Sequence, residues 1–110
     1  MSKYFKEIET NMNNEFLFVL DEAREFAGIP FFINSAYRSP THPESIKNPT
    51  SSHIKGLAVD IKATDMTTRF KIVEALISVG FTRIGIADTF IHVDLDFDKS
   101  QQVMWHLLKN

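Results

Sequence analysis

The chain predicts an α+β fold: two helices packed on one face of a small, mainly antiparallel sheet. Three observations point to it. Two stretches carry apolar residues at helical spacing, several short stretches alternate apolar with polar residues, and the later strands are joined closely enough for a hairpin. The length of 110 residues suits one domain covering residues 1–110.

The first helix is expected in NNEFLFVLDEAREFAGIP, where Phe16, Val19, Leu20, Ala23 and Ala27 share a face. Asn13 or Asn14 caps it, and Gly28 with Pro30 stops it. A short strand follows in FFINSAYRS. The next segment, PTHPESIKNPTSS, is rich in Pro, Ser, Thr and Asn and reads as a long surface loop. Such loops in small proteins often carry function. LAVDIKA is a strand in which Leu57, Val59 and Ile61 alternate with Ala58, Asp60 and Lys62. DMTTRFKIVEALISVGF is the second helix, capped by Asp65 or Thr67 and ended by Gly80. Its apolar stripe is expected at Phe70, Val73, Leu76 and Ile77. TRIGIADTFIHVDLDF reads as a hairpin turning near Ala87-Asp88-Thr89. In QQVMWHLL, Val103, Trp105 and Leu107 alternate, which favours a final strand over a helix.

Composition narrows the function. The net charge is −2 and acids and bases are mixed along the chain, so no basic stripe is offered to a nucleic acid. The absence of cysteine removes disulfides, zinc–thiolate sites, iron–sulfur clusters and a cysteine nucleophile. No stretch approaches the ~18 apolar residues of a membrane helix, and MSKYFKEIETNMNNEF lacks the apolar run of a signal peptide. The protein is therefore expected to be cytoplasmic as synthesised and to have no membrane partner. A substrate outside the membrane would be met only after release.

Strand geometry gathers the polar residues. Successive strand side chains point to opposite faces. In FIHVDLDF, Ile91, Val93, Leu95 and Phe97 take the core face, leaving His92, Asp94 and Asp96 on the other. In LAVDI, Asp60 stands opposite the apolar set. In TRIGIA the core face takes Thr82, Ile84 and Ile86, while Gly85 and Ala87 lie beside Arg83 on the other. Within one sheet, Asp60 and His92 emerge together, over a floor kept open by Ala58, Gly85 and Ala87. Gly56 lets the loop bend His53 back above them. Two imidazoles and a carboxylate suit one small ion, though alternation alone leaves ordinary polar surface equally open. His42 and His106 are expected in solvent without a role.

The stretches SAYRSPTHP, SSHIKGLAVDI, GFTRIGI, FIHVDLD and MWHL together resemble the zinc peptidases that include D-Ala-D-Ala carboxypeptidases and phage L-alanyl-D-glutamate endopeptidases. Their fold is shared with the Hedgehog signalling domain. The resemblance runs from about Phe32 to Trp105. Its most specific part is S-x-H-x-x-G-x-A-x-D, matched by Ser51, His53, Gly56, Ala58 and Asp60, with FIHVD downstream. It implies zinc held by His53, Asp60 and His92, with one position open to water, as in catalytic sites. The substrate it implies is a peptidoglycan stem peptide.

Such chemistry needs a proton acceptor near the activated water. Many members carry an acid three residues before the second ligand histidine, where this chain has Thr89. Asp94 is the expected base, since two strand residues advance only about 6.6 Å on one face. Asp88 stands second, and the competing role for Asp94 is to orient His92. The resemblance places Arg38 near substrate, where a guanidinium can grip a carboxylate through two hydrogen bonds; Ser51 adds a hydroxyl. A structural ion pair is the competing role for Arg38.

Two other readings stand beside this one. His92-Val-Asp94 invites a non-haem iron centre, but the remaining histidine would be His106 and the strands are too few for a double-sheet barrel. With Thr89 in place of an acid, the other reading is a domain that keeps zinc and binds wall peptide or a protein partner without cutting. The choice among a terminal D-Ala, the L-Ala–D-Glu bond and a cross-bridge rests on the loop around residues 39–51.

Overall fold

In the computed structural model, which describes residues 1–107, five strands form one sheet in the order β1-β2-β4-β3-β5. They are β1 (Ile33–Ser35), β2 (Ala58–Lys62), β3 (Arg83–Ala87), β4 (Phe90–Asp94) and β5 (Val103–Leu107). All pairings are antiparallel except β3 with β5. The α+β expectation and the final strand are both met.

Helix α1 (Asn14–Ala27) starts where the Asn13 side chain accepts from the Phe16 amide at 2.8 Å. This satisfies one of the amides that a helix start leaves without a partner. It ends at Gly28, whose φ of 68° suits glycine. Phe16, Leu17, Leu20 and Ala23 are buried, and Val19 and Ala27 lie at the margin of that face. Helix α3 (Met66–Ser78) is capped by Asp65, which accepts from the Thr68 amide at 2.8 Å.

The stripe expected on α3 needs correction. Phe70 is 67% exposed and Ile77 53% exposed, while Ile72, Ala75 and Leu76 are buried. The helix has apolar residues on both sides, so spacing alone did not decide which row meets the sheet. Tertiary packing selects the 72/75/76 row, which lies against α1 and β4. Phe97 is a second correction. It is 68% exposed because β4 ends at Asp94 and strand alternation no longer governs it. Thr82 is likewise exposed, just before β3.

A third correction concerns the long loop, which contains helix α2 (Pro43–Lys47). Pro43 sits at its start, where a missing N–H costs nothing, and His42 Nδ1 accepts from the Glu44 amide at 3.1 Å. Five residues are too few for a periodicity to be seen. His42 is exposed, as expected, but it serves as a cap.

The core lies between the helices and one face of the sheet. Val59, Ile61, Ile84, Ile91 and Val93 meet Phe16, Leu20, Ile72 and Leu76 there. Burial of each such side chain is worth about 1.5–3 kcal/mol. The N-terminal segment joins the same cluster through Phe5 and Met12. It is pinned to α1 by Asp21, which accepts from Ser2 Oγ at 2.9 Å and from the Lys3 and Tyr4 amides at 2.9 and 3.0 Å. The polar residues gather on the opposite face of the sheet, where residues of the 48–53 loop line a cleft with them.

Candidate metal centre

One line of register crosses the whole sheet. Ser35 pairs with Asp60, Asp60 with His92, His92 with Gly85, and Gly85 with Trp105. Paired residues on neighbouring strands share a face. The expectation that Asp60 and His92 emerge side by side is thus met by direct pairing.

His53 reaches the same point from the loop. The Gly56 amide donates to the His53 carbonyl at 3.2 Å, and Gly56 has a φ of 69°. A Cβ at Gly56 would collide with the Asn11 carbonyl, so glycine is required by conformation and by space alike. The Ser51 hydroxyl accepts from the His53 amide at 3.2 Å. His53 is 4% exposed, and its Nδ1 lies 2.8 Å from the Ala36 carbonyl. A carbonyl can only accept, so Nδ1 carries the proton and Nε2 faces Asp60 Oδ1 at 3.3 Å. His92 presents Nδ1 to the same oxygen at 3.0 Å.

Among the described residues, His53, Asp60 and His92 each offer a ligand atom, and these atoms lie within 4.8 Å of one another. The donor set fits a metal. Two imidazole nitrogens and one carboxylate oxygen suit zinc and its neighbours, and both rings have their far nitrogens engaged elsewhere. Burial pushes the Asp60 carboxyl up, but hydrogen bonds from His53 and His92 outweigh it and hold it down at about 2. Burial likewise pushes His92 down, and its bonds to Asp60 and Asp94 more than reverse this. The ionised Asp60 carboxylate supplies the negative charge that a cation site needs, while His92 must give up a proton to ligate.

Asp94 is 1% exposed; its Oδ2 lies 2.8 Å from His92 Nε2, and its Oδ1 takes Arg83 Nε at 2.7 Å and the Asp96 amide at 3.2 Å. Burial raises its carboxyl, and His92 and Arg83 together bring it below the usual range. Asp88 is exposed in the β3–β4 turn, its carbonyl held by Arg69 at 2.8 Å, and it does not line the cleft. Arg38 does line it, donating to Ser35 Oγ at 3.0 Å with Asp60 Oδ2 at 3.8 Å.

The cleft holds about 270 Å³, and Ser51, Lys99, Trp105 and Asn48 complete its walls. The small-residue floor is filled differently from expectation. A Cβ on Gly85 would stand 2.9 Å from the Trp105 ring, so the room left by glycine is taken by Trp105. Arg83, Lys99 and Trp105 are site residues that spacing did not single out. Alternation had put Arg83 on the correct face, but only register revealed that it meets Asp94. Asp96, also on that face, turns away to Ser52 at 2.7 Å and Lys55 at 3.0 Å.

Two strand residues, Asp60 and His92, and one loop residue, His53, meet at a cleft and could together hold a metal ion, with three protein donors as in open, catalytic-type sites. The family model described as Peptidase M15 matches residues 3–94, and the chain belongs to that family of metal-dependent peptidases. The resemblance read from SSHIKGLAVDI and FIHVD is borne out. No curated protein and no solved structure matches the chain. No described helix is long and apolar enough to cross a membrane.

Proposed function

We propose that this protein is a zinc-dependent peptidase that hydrolyses an amide bond in peptidoglycan stem peptides, in the manner of a carboxypeptidase or a phage-type endopeptidase. The convergence of His53, Asp60 and His92 at the cleft is the observation that carries it. Zinc bound by these three would polarise the scissile carbonyl and bring water's pKa towards neutrality.

The chain's own groups supply the rest. Arg38 presents its guanidinium to the cleft beside Asp60, where it can take a carboxylate of the stem peptide in a forked pair. Ser51 is already used to hold the His53 amide, so its hydroxyl has one acceptor position committed before substrate arrives. The cleft lining carries Arg38, Arg83 and Lys99 against Asp60 and Asp94. With a divalent ion added it favours an anionic peptide, although the chain as a whole is at −2.

We assign Asp94 the role of holding His92, in place of the proton-acceptor role expected from strand spacing. Both its oxygens are engaged, and accepting a proton would break the bond to His92 or to Arg83. Asp88 would need the turn to rearrange before it reached the cleft.

A second reading draws on the same facts. Among the described residues, Asp60 and Asp94 are the acids lining the cleft, and both are committed. A domain that binds wall peptide without cutting it would look the same. Mass spectrometry of muropeptides after digestion by the zinc-loaded protein separates the two. The peptidase reading expects new termini that disappear on chelation, and their masses name the bond. Zinc-loaded protein that retains peptidoglycan but releases nothing would overturn it.

A further inference from the structure

Arg83 has three anchors, and two of them, Asp94 and Trp105, themselves touch His92. Its Nε donates to Asp94 Oδ1 at 2.7 Å, and its Nη1 donates to the Ser100 carbonyl at 2.7 Å. The Trp105 ring lies against the guanidinium, 4.9 Å from its carbon to the ring centre. Asp94 passes the constraint on, with Oδ2 at 2.8 Å from His92 Nε2. Trp105 also touches His92 directly, ring centres 5.6 Å apart.

Each link has a physical reason. A carboxylate that is 1% exposed requires a cation or several donors, and Arg83 is the cation in contact with it. Only a planar fork can reach Asp94 and the Ser100 carbonyl together while its carbon stays over an indole ring; a lysine ammonium cannot. An imidazole has two nearly equivalent ring orientations about its outer torsion. A carboxylate fixed beside Nε2 removes that ambiguity, because the flipped ring would set a C–H against it. Nδ1 is then the nitrogen presented to Asp60 and the ion.

We propose that Arg83 is a positioning residue for metal binding: held by Ser100 and Trp105, it fixes Asp94, and Asp94 fixes His92 with Nδ1 towards the ion. The inference rests on the His53–Asp60–His92 centre but not on the reaction performed there. It also gives β5 a part in the site. Ser100 and Trp105 both lie beyond residues 3–94, the span matched by the family model.

The test compares zinc affinity, by competition with a chelating dye, for the unsubstituted protein, Arg83→Lys, Arg83→Gln and Trp105→Leu. Histidine nitrogen NMR of the zinc-loaded unsubstituted protein accompanies it. Both Arg83 variants should bind zinc roughly 10–100-fold more weakly, the size usual for a lost support of a metal ligand. Trp105→Leu should lose less, in the same direction. The spectra should show His92 bound through Nδ1, with a slowly exchanging proton on Nε2. A merely structural arginine would lower Tm and leave the dissociation constant of the folded variants unchanged, and that result overturns the proposal. Should the variants fail to fold, His92 bound through Nε2 in the unsubstituted protein overturns it equally. Failure of the unsubstituted protein to bind zinc removes the centre and this inference together. Normal zinc binding without peptide cleavage sinks only the peptidase reading.

Discussion

Asp60 is the residue on which the centre turns. It receives both histidines on one oxygen, at 3.3 and 3.0 Å, and has Arg38 beside the other at 3.8 Å. Asp60→Asn keeps the shape and removes the charge that a divalent ion needs, so zinc measured by elemental analysis should fall from near-stoichiometric to background. Asp94→Asn separates two roles. If Asp94 holds His92, zinc affinity drops about 10–100-fold; if it is the proton acceptor, zinc stays and turnover collapses. Protons compete with zinc for His92, whose pKa is raised above its ordinary value of 6.5 by Asp60 and Asp94. The zinc dissociation constant should therefore be flat at alkaline pH. It should begin to rise while the pH is still above 6.5 and climb by about tenfold per unit below that. For the metal-free protein the sign is that of a depressed carboxyl. Asp60 contributes stability above 3.8, its ordinary value, and loses it as the pH falls to about 2. The amount at stake is about 2 kcal/mol, measurable by urea denaturation across that range.

At the scale of elements, the caps and the turn before β2 carry most of the local information. Asn13→Ala should cost about 1 kcal/mol by chemical denaturation, the usual worth of a lost N-cap. Gly56→Ala should cost more, about 2–4 kcal/mol, because it meets both a positive φ and the Asn11 carbonyl. It should also weaken zinc binding, since Gly56 closes the turn that carries His53. These elements were legible because each signal is local: an Asn before an apolar run, a Gly after it, strict alternation in FIHVD. Helix α2 was not legible, because its five residues fall short of a repeat and its capping residue is a histidine. The buried face of α3 is not legible for a different reason. Phe70 and Ile77 are as apolar as Ile72 and Leu76, and only the sheet beneath decides between them.

For the whole molecule, the centre joins a loop and two strands, so an ion bound there opposes unfolding of all three. At a zinc concentration of 100 Kd the stabilisation is about 2.7 kcal/mol, and Tm should rise by roughly 10 °C or more. Excess chelator should return it to the metal-free value. No shift on adding zinc, with an unchanged melting curve, would count against the centre. The chain on its own determined the α+β class, most element positions and the three candidate ligands. Periodicity, caps and the S-x-H-x-x-G-x-A-x-D spacing are written in consecutive residues. Tertiary structure alone decided which side of α3 is buried, that Trp105 fills the space above Gly85, and that Arg83 stands between Ser100 and Asp94. The contacts of Trp105 and Arg83 join residues 11 to 20 positions apart on separate strands and loops, and those of α3 join two helices farther apart still, so only the folded chain brings them together.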